Sequence, residues 1–303
     1  MNKREFLLLA HSLIEGKEVS PKRWLWSEKL DGVRAFWDGG ISIGLRKDEV
    51  LYANHGHNGD HICTGLWSRY GNVIHKPDWF KLPPGVMLDG ELFDGVGLQS
   101  TKSRVSKHVP VDNEWEPVNF FAFDTPSPQS VFSTGRLNNP NFSGLIHWDD
   151  VKRQFNLDPK PTVGTVDIES KILREAKDFH RVCPVRQHQI EQPLWQIHDR
   201  IVEKGGEGLV IRDKNFTWVP YRSKFLLKVV RRYEAQCVIR GFGAEGNGKF
   251  AGRPGTIHVE WEGVEFDLTW PSEDDVFVIG QTIKFQYKGL TADGVPREGT
   301  VVR

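Results

Sequence analysis

The sequence predicts an α+β protein of two domains, residues 1–232 and residues 233–303. Its 303 residues are about twice the usual length of one domain. Up to Arg232, short segments with alternating apolar and polar residues predict half-buried strands, and helical segments lie among them. After Arg232, short strand segments are separated by glycine-rich turns, which is typical of a small β-barrel. We therefore expect antiparallel sheets flanked by helices, followed by a barrel.

Composition excludes several classes of protein. Hydrophobic residues make up 38% of the chain and charged residues 26%, which excludes a disordered chain and a membrane-embedded one. The 40 basic residues balance the 40 acidic residues, so the chain is not an indiscriminate polycation. Nucleic-acid binding stays open, because a neutral protein can still collect its basic residues on one face.

Three cysteines, Cys63, Cys183 and Cys237, are far apart and form no CxxC pair. This spacing supports neither a disulfide framework nor a zinc ribbon and favours reduced thiols in the cytoplasm. The apolar run Phe6–Ala10 is too short to cross a bilayer. We therefore expect neither a signal peptide nor a membrane partner.

Residue patterns place the elements of the first domain. We predict a helix over Arg4–Ile14, then two strands within Trp24–Trp37 that form a hairpin and present Lys29 at its turn. Residues 39–64, rich in glycine and histidine, are predicted to be an irregular insertion. Further strands are predicted at Val86–Phe93, Val118–Phe123, Gly208–Arg212 and Lys224–Val230. Helices are predicted at Asp149–Phe155, Ile168–His180 and Pro193–Glu203.

The C-terminal domain has the size and strand number of an oligonucleotide-binding barrel, the OB fold. Its strands are predicted at Cys237–Gly241, Gly255–Trp261, Glu265–Trp270 and Gln281–Tyr287. Glycine-rich turns such as 246–248 separate them.

One short segment, residues 28–34, has the chemistry of a phosphate-directed nucleophile. Lys29 is followed by Asp31 and Arg34. The arginine could hold phosphate oxygens, and its charge, together with a bound cation, would lower the pKa of the lysine. Taken alone, the same segment is more often a surface turn with a solvated lysine.

Four more segments bring charged residues to the ends of apolar strands. They are Asp89–Leu92, Phe120–Asp124, Glu207–Arg212 and Lys224–Lys228. Phe121 and Phe123 are expected to share one face of their strand. Each segment by itself also fits a turn, a core strand or an edge strand.

In this order the five segments resemble the motifs of the covalent nucleotidyltransferases, the superfamily of ligases and capping enzymes. The resemblance is closest to the minimal ATP-dependent DNA ligases of bacteria and phages. It implies a nucleotidyltransferase (adenylation) domain in which Lys29 attacks ATP to form lysyl-AMP, with Phe123 stacked on the adenine. It also implies Mg²⁺, or Mn²⁺, bound by Glu91 and Glu207. The ATP-binding residues that it implies are Glu28, Lys29, Arg34, Arg69, Glu91, Phe123, Arg212, Lys224 and Lys228.

The chain departs from the family pattern at two places. The insertion at residues 39–64 separates Lys29 from the next motif, which we assign to Ser68 and Arg69, with Arg46 as the rival arginine. In the last motif Val230 stands where the family has a second lysine. Either Lys224 or Arg231 replaces that cation, or one phosphate contact is lost.

The resemblance implies a monomer that seals nicked double-stranded DNA in repair or replication. The candidate DNA-binding residues are Asp31, Lys249, Arg253, Lys284, Lys288 and Arg297. We also hypothesise that the insertion grips DNA through His55, His57 and His61. The eleven histidines show no HExxH motif and no paired metal-ligand spacing, and they are interpreted as surface or core residues. An RNA ligase, an mRNA-capping guanylyltransferase and a binding module with decayed ligase machinery are the alternatives.

Overall fold

The computed structural model describes residues 7–13, 17–50, 52–54, 61–132, 168–245, 254–272, 274–291 and 293–302. Its contacts divide the chain into two compact units, Asn2–Val229 and Val230–Arg303, the second together with Met1. The division lies close to the boundary predicted after Arg232. No helix among the described residues is long and apolar enough to cross a membrane.

Within its described residues, the first unit contains two five-stranded sheets. The first sheet has the order β1-β10-β9-β2-β8. Its strands are β1 (Leu9–Ser12), β2 (Trp24–Glu28), β8 (His188–Gln189), β9 (Leu209–Asp213) and β10 (Arg222–Val229). Neighbouring strands are antiparallel except for the β1–β10 pair, which is parallel.

The second sheet has the order β4-β3-β5-β6-β7. Its strands are β3 (Val33–Asp38), β4 (Leu66–Ser68), β5 (Met87–Phe93), β6 (Asn119–Asp124) and β7 (Val182–Pro184). Only the β6–β7 pair within this described sheet is parallel.

Helices flank both sheets. They are α1 (Leu98–Val105), α2 (Asp112–Trp115), α3 (Pro128–Phe132), α4 (Ile168–Glu175) and α5 (Leu194–Glu203). Leu194 and Ile197 of α5 pack against Leu209 and Ile211 of β9, because alternate residues of that strand face the helix. Trp115 of α2 belongs to the core of the second sheet. The predicted α+β class with flanking helices is thus confirmed, whereas the helix predicted at Asp149–Phe155 lies outside the described residues.

Two predictions near the beginning of the chain are wrong. Leu9–Ser12 forms the edge strand β1 where we predicted a helix, because its backbone hydrogen-bonds with β10 and a tertiary contact overrides the local preference. The strands β2 and β3 do not form a hairpin either. They belong to different sheets, so residues 29–32 carry the chain from one sheet to the other.

The insertion at residues 39–64 is built into the core of the first unit. Its described part is irregular, as predicted, apart from a single 3-10 turn at Lys47–Glu49. Its residues Val50, Tyr52 and Cys63 are buried in a cluster with Phe36 and Trp67 of the second sheet. The apolar side chains of the insertion therefore contribute to the stability of the domain.

Asp38, at the end of β3, fixes the insertion by hydrogen bonds. Its buried carboxylate accepts bonds from the Tyr52 hydroxyl at 2.7 Å, the Ser42 hydroxyl at 2.5 Å and the Gly40 amide at 2.8 Å. The Trp67 indole donates to the same group at 2.8 Å. Burial raises the pKa of Asp38, and these four donors oppose that effect. The carboxylate thus joins the beginning and the middle of the insertion to the second sheet.

The second unit contains the predicted closed barrel, with the order β11-β12-β13-β15-β14. Its strands are β11 (Tyr233–Phe242), β12 (Thr256–Trp261), β13 (Val264–Thr269), β14 (Thr282–Tyr287) and β15 (Thr300–Val301). Ile239, Ile257, Leu268 and Phe285 fill its interior. Closure pairs every barrel strand with two neighbours, which is how an OB fold removes its sheet edges.

Candidate active site

Residues 29–32 position Lys29 on the connection between the two sheets of the first unit. The Lys29 amide donates to the Gly208 carbonyl at 2.9 Å, which fixes the lysine beside the start of β9. At the other end, Gly32 packs so closely on β5 that an added Cβ would lie 2.3 Å from the Leu92 carbonyl oxygen. Only glycine fits there, so both ends of the connection are held by backbone packing.

The Lys29 side chain is half-buried among carboxylates. Its Nζ donates to Oε2 of Glu207 at 2.5 Å. Burial lowers the pKa of Lys29, but attraction to Glu207, Glu91 and Asp31 outweighs burial and raises it. The prediction that this pKa is lowered included a bound cation; among the protein's own groups, the nearby carboxylates stabilise the ammonium form and the pKa is raised.

Glu91 is the second carboxylate of this group. It lies on β5, opposite Arg34 of β3 and Phe121 of β6. Burial raises its pKa to about 7, although Lys29 and Arg34 lower it, and repulsion from Glu207 adds to the rise. Two carboxylates with one lysine between them make a site that can exchange protons near neutral pH and offers oxygen ligands to a hard cation.

Arg34 is held by three groups. Its guanidinium binds the buried carboxylate of Asp89 through Nε at 3.0 Å and Nη2 at 2.7 Å, and it donates to the Leu8 carbonyl at 2.9 Å. It also lies 4.4 Å from the ring centroid of Phe123. The Trp218 indole donates to the same Asp89 carboxylate at 2.7 Å. Contacts with three separate parts of the chain thus fix the position and the orientation of the Arg34 guanidinium.

Phe121 and Phe123 share one face of β6, as predicted, since Phe120, Ala122 and Asp124 are the buried residues of the alternating pattern. Phe123 is half-buried, which leaves part of its ring accessible beside Arg34. Aromatic rings in such positions can stack on a planar base.

Arg212 is buried and forms an ion pair with Asp124. It also donates to the Phe123 carbonyl at 3.3 Å. These contacts join β9 of the first sheet to β6 of the second, so Arg212 cross-links the sheets as well as lying near the site. The sequence pattern did not predict this role, because the ion-pair partners are separated by 88 residues.

The two candidate lysines both lie on β10, with a register irregularity in the pairing with β1 between them. Lys228 is half-buried and pairs in register with Val210 of β9. Lys224 is exposed, and its Nζ lies 5.6 Å from the Phe225 ring centroid. Arg231, the other candidate for the second cation, follows β10 and belongs to the second unit.

Arg69 directly follows β4, whose Ser68 pairs with Ala35 of β3. The register therefore brings Arg69 to the end of the second sheet at which Arg34 lies. Its guanidinium is 5.0 Å from the ring centroid of Tyr70. The rival Arg46 lies in the insertion and binds Asp48 with two hydrogen bonds, at 3.1 and 2.8 Å, on an exposed surface.

The remaining candidates lie at the borders of the site or in the second unit. Glu28 ends β2 with an exposed side chain. Asp31 lies close to Gly97, since a Cβ added at that glycine would be 3.6 Å from Oδ2 of Asp31. Lys284 is exposed on β14, and Lys288 binds Glu298 at 2.5 Å in the segment that also contains Arg297. Lys249 and Arg253, like His55 and His57, lie outside the described residues.

Asp89 and Trp218 are the site residues that the motif interpretation did not assign. Asp89 lies two positions before Glu91 on β5, and the two-residue alternation of a strand was a signal that both face the same side. Nothing in the local pattern predicted Trp218, because its contact with Asp89 spans 129 residues.

Comparison with known proteins supports this fold. A family model for the DNA ligase OB-like domain matches residues 245–303. A DNA ligase of Haemophilus influenzae is 26% identical over 285 residues, which cover 92% of this chain and 86% of that protein. A solved Lig E DNA ligase is 25% identical, covers 99% of both chains and superposes with a TM-score of 0.71. The Pmar-Lig structure shares the fold at 17% identity, with a TM-score of 0.60 over 99% of this chain and 68% of that one.

The two units and the lysine site define the class of the protein, a nucleotidyltransferase joined to an OB barrel. Within that class, the chain is similar in sequence and in fold to DNA ligases, including the Lig E enzymes.

Proposed function

We propose that this chain is an ATP-dependent ligase that seals nicks between a 3′-hydroxyl and a 5′-phosphate, with Lys29 as its nucleophile. The observation that carries the proposal is the position of Lys29. Its Nζ lies on the connection between two sheets, bonded to Glu207 and attracted to Glu91. A solvated turn lysine would have neither the burial nor the paired carboxylates.

The attack of Lys29 requires loss of a proton from Nζ, because only the neutral amine has a free electron pair. Glu207 accepts the hydrogen bond from this atom and is positioned to take the proton. Glu91, with a pKa of about 7, is a second acceptor near neutral pH. The carboxylates thus hold the lysine in place before the reaction and receive its proton when the reaction begins.

The same two carboxylates fit a divalent cation of the Mg²⁺ type, since hard cations prefer oxygen ligands. Glu91 and Glu207 repel each other, and this repulsion contributes to the raised pKa of Glu91. A bound cation would relieve it. When bound, such a cation stabilises negative charge that develops on the phosphate oxygens.

The neighbouring residues supply a surface for the nucleotide. Phe123 would stack on the adenine, and the guanidinium of Arg34 lies over the Phe123 ring, 4.4 Å from its centroid. Arg69, at the same end of the second sheet, would contact the ribose or the phosphates, and Glu28 would hold the base through its backbone. Lys224 and Lys228 would hold phosphate oxygens from β10, with Arg212 near them.

Three transfers complete the reaction. Lys29 Nζ bonds to the α-phosphorus of ATP, and the bond to pyrophosphate breaks. An oxygen of the DNA 5′-phosphate then attacks the same phosphorus and releases the lysine. Finally the 3′-hydroxyl oxygen attacks the 5′-phosphate and displaces AMP, which leaves a continuous strand.

The experiment is self-adenylation followed by a chase. Wild type, Lys29→Ala and Lys29→Arg are incubated with α-labelled ATP or GTP and Mg²⁺, then given nicked duplex DNA. Lys29→Arg preserves a cation beside Glu207 but removes the nucleophilic amine, and the exposed Lys177→Ala is the matched control. We expect label from ATP on wild type and Lys177→Ala only, discharged by the nick into joined DNA.

Other outcomes separate the alternatives. Label from GTP would favour capping chemistry, and discharge only on nicked RNA would favour an RNA ligase. Label that persists on Lys29→Arg would contradict the assignment of the nucleophile. A wild type that binds nicked DNA without taking label would favour the binding module.

We further propose that the protein acts as a monomer on nicked duplex DNA. Lys284, Lys288, Arg297 and Asp31 are the described residues that we assign to the DNA, and Lys249 and Arg253 complete the set. A cytoplasm with reduced thiols suits this activity and stays a prediction.

A further inference from the structure

Three histidine rings from distant parts of the sequence meet in the first unit. His61 belongs to the insertion, His75 follows β4, and His108 lies between α1 and α2. One ring nitrogen of each lies within 4.8 Å of the other two. The ring centroids are 4.2 to 5.2 Å apart. His61 and His75 are half-buried and His108 is exposed, so the group lies at the surface and is accessible to solvent on one side.

The closest pair already has the spacing of two ligands on one metal ion. Nε2 of His75 lies 3.4 Å from Nδ1 of His61. Two imidazole nitrogens bound at about 2.0–2.1 Å to a tetrahedral Zn²⁺ are separated by roughly 3.3–3.4 Å. A nitrogen of the exposed His108 ring lies within 4.8 Å of both of these ligand atoms.

A hydrogen bond between His61 and His75 would account for the proximity of these two rings but not for the position of His108 beside them. The chemistry of the donors selects the ion, because imidazole nitrogen favours Zn²⁺ and its transition-metal neighbours, whereas Mg²⁺ and Ca²⁺ prefer oxygen. Lys107 precedes His108, but its ammonium is engaged by Glu114 at 2.5 Å. Lys76, which follows His75, donates to the Phe80 carbonyl at 2.9 Å, so the ammonium groups of both adjacent lysines have partners outside the histidine group.

We propose that His61, His75 and His108 form a Zn²⁺ site that ties the insertion to the body of the nucleotidyltransferase domain. With three protein ligands, water would complete the tetrahedron. The site is separate in residues from the nucleotide site, which uses carboxylates for its cation. Its role is structural, because one ion would join three segments of the chain.

The backbone near two of the rings is well fixed, which favours a formed site. The Lys47 amide donates to the His61 carbonyl at 2.8 Å, and an isolated bridge joins Arg46 to Ile62. On the other side, Ile74 is fixed through its amide to Leu66 and through its carbonyl to the Thr64 hydroxyl. Ligands on a fixed backbone lose little conformational freedom when the ion binds.

The test is calorimetric titration of Zn²⁺ into full-length protein that has been stripped of metal, lacks a polyhistidine tag and contains no nucleotide. We expect one tightly bound Zn²⁺ per chain and a rise in Tm that grows with free Zn²⁺. His108→Ala should lower the affinity at least tenfold and abolish the rise in Tm, because it removes one ligand from an exposed position. His180→Ala, an exposed histidine outside the group, should behave as wild type.

Two further measurements make the result decisive. Zn²⁺ binding should persist in Glu91→Gln, which alters the nucleotide site only. X-ray absorption of the zinc-loaded wild type should show imidazole scattering from three ligands. The proposal fails if wild type takes up no Zn²⁺, if His108→Ala binds like wild type, or if Glu91→Gln abolishes uptake. In those cases the rings are joined by the His61–His75 hydrogen bond alone.

Discussion

At the scale of single residues, we predict that the pKa of Glu91 controls the pH dependence of cation binding. Its pKa of about 7 means that a proton competes with the cation at and below neutral pH. We expect the Mg²⁺ concentration for half-maximal self-adenylation to rise about tenfold per pH unit below pH 7, and to change little above it.

The control for this prediction is Glu91→Gln, which has the same shape without the charge. It should lower self-adenylation by about 10² to 10³ at saturating Mg²⁺ and remove most of the pH dependence of the half-maximal concentration. Deprotonation of Lys29 also favours reaction at higher pH, but it changes the maximal rate and not the Mg²⁺ requirement. An unchanged Mg²⁺ requirement in wild type between pH 6 and pH 8 would contradict the role of Glu91.

The sequence predicted Lys29, Glu91 and Glu207 as a group, because each belongs to a motif with a fixed local pattern. The sequence did not predict the direction of the Lys29 pKa shift, because this pKa depends on burial and on distances that only the fold determines. The histidine group shows the same limit. Its ligands come from three segments with no common spacing, and spacing was the only signal of a metal site in the sequence.

At the scale of elements, the ion pair of Arg212 and Asp124 joins β9 to β6. Both side chains are buried, so removing one charge leaves the other without compensation. We predict that Asp124→Asn lowers the free energy of unfolding by about 3 kcal/mol, measured by urea denaturation. The double variant Arg212→Met, Asp124→Leu should recover most of the loss.

Arg212→Lys distinguishes this structural role from phosphate binding. If the arginine mainly cross-links the sheets, the variant should unfold at a lower urea concentration than wild type. Its self-adenylation should then fall only as far as the loss of stability accounts for. A variant with unchanged stability but strongly reduced self-adenylation would instead support the phosphate contact alone.

Asp94 stabilises the start of α1 through a dense set of hydrogen bonds. Burial would raise its pKa, but donors on Ser100, Val96, Thr101 and Gly97 outweigh burial and lower it to about 2. Arg104 also binds this carboxylate at 3.0 Å. The ordinary value for the unfolded chain is about 3.9. The ionised group therefore stabilises the fold above pH 4, and this contribution is lost as the pH falls toward 2.

We predict that Asp94→Asn lowers the free energy of unfolding by about 2 kcal/mol at pH 7. The difference from wild type should shrink as the pH falls from 4 to 2, measured by urea denaturation at a series of pH values. A difference that stays constant down to pH 2 would show that the loss comes from packing and not from the charge.

Most strands and helices were predictable as separate elements, but their assembly was not. The alternation in Trp24–Trp37 correctly indicates two strands, yet it carries no information on which sheet each joins. The backbone pairing of β2 with β9 and of β3 with β5 decides that. Similarly, the glycines of the insertion predicted its irregular path, whereas Val50 and Tyr52 find their buried partners only in the folded domain.

The burial of the insertion changes the experiment that tests its role in DNA binding. Deleting residues 39–64 would remove Val50, Tyr52 and Cys63 from the core, so a loss of nick affinity could reflect unfolding. The double substitution His55→Ala, His57→Ala leaves those core residues in place. The DNA-gripping hypothesis therefore depends on this narrower variant.

At the scale of the whole molecule, the net charge is balanced. DNA binding would therefore depend on individual lysines and arginines that contact phosphates. Each Lys or Arg that neutralises a phosphate adds about 0.9 to the slope of log affinity against log salt concentration. We predict that Lys284→Ala weakens binding to nicked duplex DNA and lowers this slope by about 1, measured by fluorescence anisotropy at several salt concentrations.

Lys177→Ala is the matched control for that prediction, because Lys177 is also exposed but lies outside the residues assigned to DNA. Its salt slope should equal that of wild type. Equal slopes for Lys284→Ala and wild type would remove Lys284 from the DNA interface and place the phosphate contacts on other residues of the chain.

The contact of Arg34 with the Leu8 carbonyl means that a segment near the start of the chain helps to position this arginine. Leu7 and Leu8 are buried, and β1 directly follows them as the edge strand beside β10. A protease that clipped the chain after Leu8, or a bulky label attached just before Leu7, would disturb the support of the arginine beside Phe123. We therefore expect damage at this end of the polypeptide to weaken nucleotide binding beside Arg34 and Phe123.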